Sequence, residues 1–97
     1  MRLNEKYLQV IKKAFGEVFE KGEVYLFGSR VDDTKKGGDI DLYLIVNKPN
    51  LKKKLKFLAK IKKELGEQKI DVVFQKDTNR PIEKEAIKWG KRIIKLS

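Results

Sequence analysis

The sequence predicts an α+β fold, an α/β sandwich in which a small mixed β-sheet is covered by helices. Two observations carry this. Segments with helical apolar spacing alternate with short β-rich segments in the order helix, strand, strand, helix, strand, helix. The strand segments are few and short, so the sheet they form is small and is covered by the helices between them. With 97 residues, the chain reads as one domain, 1–97, holding a single modest core.

The first helix runs from Asn4 to Lys21, where Leu8, Ile11, Phe15, Val18 and Phe19 recur at three- and four-residue steps, with Gly22 as its expected stop. Glu23 to Phe27 is a short strand, rich in β-favouring Val24, Tyr25 and Phe27. Gly28-Ser29 ends it, and Val31 to Gly38 is a polar loop. Asp39 to Val46 is the clearest strand. Ile40, Leu42, Leu44 and Val46 share one face, and Asp39, Asp41, Tyr43 and Ile45 the other.

A helix follows from Leu51 to Leu65, with Leu51, Leu55, Leu58, Ile61 and Leu65 as its expected buried stripe and Gly66 as its end. Lys69 to Gln75 is a third strand with Ile70, Val72 and Phe74 opposite Asp71 and Val73. Pro81 suits a first helical position, so Pro81 to Trp89 is a helix stopped by Gly90. Ile93, Ile94 and Leu96 form a short closing strand.

Composition narrows the chemistry. The chain has no cysteine and no histidine, which removes disulfides, thiolate zinc sites, thiol nucleophiles, Ser-His-Asp triads and imidazole bases. Catalysis has to rest on carboxylates, lysine, arginine, hydroxyls and oxygen-held metals. The net charge of +10 favours anionic partners. The first residues lack the apolar run of a signal peptide, and no apolar run approaches a membrane span, so a cytoplasmic protein with no membrane partner is expected.

Three carboxylates stand out. Asp39 and Asp41 leave the same strand face roughly 6–7 Å apart, in a structure type where acidic residues are depleted. A divalent cation would neutralise such a pair, and oxygen ligands favour Mg²⁺ or Mn²⁺ over zinc. Asp71 interrupts the next apolar strand in the same way, so all three converge if the two strands are neighbours. The plainer alternative has Asp39 capping the loop, Asp41 facing water and Asp71 paired with a lysine. Upstream, Gly28-Ser29-Arg30 follows a strand: the glycine permits close backbone approach to a phosphate, the Ser29 hydroxyl and amides bind its oxygens, and Arg30 adds charge.

Taken jointly, Leu26-Phe27-Gly28-Ser29-Arg30 and Asp39-Ile40-Asp41-Leu42, followed by Asp71 on a later strand, resemble the signature of the DNA polymerase β-like nucleotidyltransferases. The small size and the stretch from Pro81-Ile82 through Trp89-Gly90 to Ile93-Ile94 resemble, in particular, the minimal nucleotidyltransferase antitoxins that partner HEPN-domain toxins. Gly38 stands where relatives often have serine. The resemblance implies a nucleotidyltransferase-like fold in which Asp39, Asp41 and Asp71 are catalytic and bind metal, with two Mg²⁺ ions. Asp71 could also be the base for the incoming hydroxyl. Gly28, Ser29 and Arg30 would bind the nucleotide. It further implies ATP as substrate, AMP transfer to a tyrosine of a cognate HEPN toxin, and an antitoxin role. The alternatives are a binding-only antitoxin or regulatory subunit, and a different acceptor such as a small molecule or RNA end. The seven lysines between Leu51 and Leu65 read as a solvated face, so direct nucleic-acid binding is not expected. Phe57, Trp89, Tyr25 and Tyr43 read as packing residues and Arg80 as a plain loop arginine.

Overall fold

Ile40-Asp41-Leu42-Tyr43-Leu44-Ile45 has apolar side chains on both faces, and the fold covers both. In the computed structural model, which describes residues 5–27, 40–66 and 69–96, these residues form an inner strand of a four-stranded sheet. The described elements are α1 (Glu5–Val18), β1 (Gly22–Phe27), β2 (Ile40–Ile45), α2 (Leu51–Leu65), β3 (Ile70–Phe74), α3 (Pro81–Trp89) and β4 (Lys91–Leu96). The sheet order is β3-β2-β1-β4. β1 runs antiparallel to both β2 and β4, whereas β2 and β3 are parallel. The parallel pair needs a crossover, and α2 supplies it. The mixed sheet and its helices are the α+β architecture expected.

The two faces of β2 divide the interior. Ile40, Leu42 and Leu44 join Ile11, Phe15, Val24, Phe57 and Ile61 in the main core beneath α1 and α2. Tyr43 joins Phe27 and Ala86 in a smaller cluster beneath α3. Phe15, Phe19, Phe57 and Phe74 meet in tilted and edge-to-face contacts with ring centroids 5.3–6.2 Å apart, the geometry ring quadrupoles prefer.

That aromatic cluster explains a departure from the expected α2 stripe. Phe57 and Ile61, one turn apart, are fully buried, while Leu58 and Leu65 are partly buried. Leu51 and Leu55 are instead 66% and 57% exposed. The larger ring wins the core position because it buries more apolar area and finds two aromatic partners, Phe15 and Phe19. Asn50 caps α2, its Oδ1 accepting from the Lys53 N–H at 2.8 Å, and Gly66 closes it at φ 75°.

Two further expectations are corrected. Gly22 is the first residue of β1, not the helix stop; α1 ends at Val18, and Glu20 takes the left-handed conformation (φ 70°) in the turn. Gly22 has φ +136°, and a Cβ there would lie 2.5 Å from the Ile45 carbonyl oxygen. Gly22→Ala is therefore expected to cost about 1–3 kcal/mol, read as a lower urea midpoint at unchanged slope. Trp89 is 64% exposed, not a packing residue, with the Lys88 ammonium 5.1 Å from its ring centroid. No helix among the described residues is long and apolar enough to cross a membrane.

Candidate functional site

Asp41 and Asp71 are register partners on the adjacent parallel strands β2 and β3. Paired positions share a sheet face at a strand spacing of about 4.8 Å, so both carboxylates project on the side that carries α3. Asp41 is half-buried and Asp71 exposed. The strand adjacency on which their convergence depended is thus present. Asp39, Gly28, Ser29 and Arg30, together with the loop from Val31 to Gly38, lie outside the described residues. Among the described residues no group of three or more carboxylates is assembled that could hold a metal ion.

Asp41 and Asp71 open onto a cleft of about 570 Å³, within the range of small-ligand sites. Phe27, at the end of β1, and Val73 supply apolar wall on the α3 side, where Ile82 and Glu85 of α3 close it. Lys54 and Leu58 of α2 line the other side, around Ile70 and Val72. The cleft therefore wraps the outer edge of β3, with carboxylates on one flank and a lysine on the other. Such a cleft offers oxygen ligands to a cation and an ammonium to an anion.

Behind the carboxylates lies a buried polar group. Glu83 is fully buried. Its Oε1 accepts from the Tyr43 hydroxyl at 2.8 Å, and its Oε2 from the Asp77 N–H at 2.8 Å and from Arg80 Nε at 2.7 Å. The Lys76 N–H donates to both oxygens at 3.1 Å. Burial alone would raise this carboxyl, but the bonds from the Asp77 amide, Tyr43, Arg80 and the Lys76 amide outweigh it and hold the pKa at about 2. Burial, reinforced by the bond to Glu83, pushes Tyr43 up to about 12. Glu83 thereby ties the start of α3 to the middle of β2, two residues from Asp41, and to the chain leaving β3. Arg80, read as a plain loop arginine, is the ionic partner of this group and also donates to the Phe74 carbonyl at 3.3 Å. The sequence reading missed Glu83; the signal that could have found it is a glutamate two residues after a helix-opening proline, where an acidic group commonly takes up free amides.

Among the described residues, the four-stranded mixed sheet and its three helices form a nucleotidyltransferase-like fold. Residues 9–97 match the family described as Polymerase beta, Nucleotidyltransferase, and the chain belongs to that family. Among solved structures, a chain of the tri-AMPylated Shewanella oneidensis HEPN toxin in complex with MNT antitoxin superposes with a TM-score of 0.73 at 18% identity, covering 97% of this chain and 74% of that one. A chain of the MntA-HepT toxin-antitoxin gives 0.71 at 18% identity, with 96% and 74% covered. A toxin-antitoxin with AMP-PNP gives 0.71 at 21% identity, with 98% and 76% covered. At these identities the likeness establishes the fold. A comparison with curated proteins finds no match.

Proposed function

We propose that this chain transfers AMP from ATP to a hydroxyl, a tyrosine in the first instance, of a cognate HEPN-type toxin, and acts as its antitoxin. The observation that carries the reading is the pairing of Asp41 with Asp71 across β2 and β3 at one cleft. The fold likeness to toxin-antitoxin complexes, one AMPylated and one with AMP-PNP, supports it. Carboxylate oxygens are the donors that suit Mg²⁺, so Asp41 and Asp71, with Asp39 two residues before Asp41, would hold it. Bound there, Mg²⁺ supplies positive charge against the triphosphate.

The chain's own groups do the remaining work. Asp71, the exposed member of the pair, takes the proton of the acceptor hydroxyl. The acceptor oxygen forms a bond to the α-phosphorus, the bond from that phosphorus to the bridging oxygen breaks, and pyrophosphate leaves. Gly28, Ser29 and Arg30 hold the triphosphate. Phe27 and Ile82 keep one side of the cleft apolar, which strengthens each charge interaction inside it.

Calorimetry of ATP with and without Mg²⁺ tests this without the acceptor. Mg²⁺-dependent binding is expected in the wild type and is expected to vanish in Asp39→Asn/Asp41→Asn. Binding that survives the double substitution removes the carboxylates from the mechanism.

A further inference from the structure

We infer that the outer edge of β3 is where the acceptor docks, as an extended acidic polypeptide segment that adds to the sheet as a fifth strand and sets its hydroxyl side chain opposite Asp71. This rests on the AMP-transfer reading for its purpose, though the docking can be measured apart from it. Among the described residues β3 is an edge strand. The Ile40 N–H donates to the Lys69 carbonyl and the Gln75 N–H to the Leu44 carbonyl. With this parallel register, Asp71 and Val73 turn their backbone groups toward β2, and Ile70, Val72 and Phe74 turn theirs outward. The Phe74 carbonyl is taken by Arg80. The outward N–H and C=O of Ile70 and Val72 have no partner among the described residues. An edge of this kind is a template for strand addition.

The flanks of the edge select the occupant. A residue paired with Asp71 lies on its face about 4.8 Å away, which delivers a hydroxyl to the carboxylate side of the cleft. The residues on either side of it point to the other face, toward Lys54 and Leu58. There α2 presents Lys54 and Leu58, and the uncovered Leu51 and Leu55 share that side of the helix at three- and four-residue steps, with no acidic residue in its first turn. Acidic side chains with apolar neighbours complement that surface. A second copy of the chain does not, because each carries +10 and edge pairing would bring the α2 lysines together. RNA carries donors in its 2′-hydroxyls and bases, but not N–H and C=O groups repeating at the strand spacing of about 3.3 Å per residue that the outward groups of Ile70 and Val72 match.

The probe is a Val-Glu-Tyr-Glu-Val peptide blocked at both ends, added to the full chain without nucleotide, with amide hydrogen exchange read residue by residue. Exchange at Ile70 and Val72 is expected to slow by at least about tenfold, with Asp71 and Val73 unchanged. Ile70→Pro removes one outward donor at the first residue of the strand, where proline is tolerated. Leu55→Glu sets a negative charge on the exposed flank. Both are expected to weaken the peptide several-fold, with the inward amides of Asp71 and Val73 reporting an intact sheet. The inference is overturned if up to about 1 mM peptide leaves Ile70 and Val72 unprotected, if neither variant weakens it, or if oligouridylate protects those amides and the peptide does not. With ATP and Mg²⁺ added, a peptide that docks but takes up no AMP retains the docking edge and removes the transfer reading. AMP uptake without protection at β3 removes the docking edge alone.

Discussion

Asp41→Asn and Asp71→Asn are each expected to lower AMP transfer by at least about 10³-fold while the protein stays folded. Removing groups that merely orient a metal ligand typically costs 10–100-fold, so removing a ligand itself costs more. The substitution keeps shape and loses one charge. Asp71 is exposed and Asp41 half-buried, so the isosteric amide disturbs little packing. The measurement is incorporation of labelled AMP into the partner protein, with thermal unfolding alongside. Asp71→Asn also separates the two roles given to Asp71: if it takes the proton, the residual rate rises with pH as solvent base substitutes for it. Transfer within tenfold of wild type in either variant would remove that carboxylate from the reaction.

Glu83→Ala is expected to destabilise the fold by about 3 kcal/mol or more, the largest effect on stability of any single substitution considered. It strands the Tyr43 hydroxyl and the amides of Lys76 and Asp77, and each buried group left unpaired costs about 1–3 kcal/mol. A small domain has about 5–15 kcal/mol in total. Tyr43→Phe, which removes one donor, is expected to cost about 1 kcal/mol. The same group sets an acid limit. Glu83 titrates near 4.5 in the unfolded chain and at about 2 when folded, so the unfolded state binds the proton more readily. Its contribution is complete above pH 4.5 and is lost as pH falls from 4.5 toward 2. Urea unfolding across that range should show the loss in wild type and a flatter profile in Glu83→Gln. An identical acid limb in both would assign the limit to other carboxylates.

How much could be read beforehand depended on whether the determinant was local. Pro81 and Gly90 bound α3 in sequence and in structure, because a proline first turn and a glycine after the last turn are properties of the chain itself. The two faces of β2 were legible from alternation, and Asp41 and Asp71 stood out by being acidic within apolar strands. Their pairing was conditional on strand order, which no local pattern contains. Glu83 was passed over because a glutamate in a first helical turn is ordinary; only the arrival of Tyr43 from forty residues away makes it a buried hub. The α2 stripe was misplaced for a similar reason. Leu51 and Phe57 compete on equal terms in a periodicity argument, and Phe15 of the distant α1 and Phe19 just beyond its end decide it.

The central position of β1 has a consequence for how the chain acquires its structure. β1 pairs with β4 across 65–74 residues of sequence, so its second edge stays open until β4 itself has been made. Contacts this distant close a large loop before they return any stabilisation, which slows folding relative to a helical protein of the same size. The sheet should therefore form late and in one cooperative step, after synthesis has passed β4. A nascent chain halted before that point would present the apolar edge of Val24, Leu26 and Phe27 to whatever is nearby, which makes the interval before β4 emerges the stage at which aggregation competes with folding.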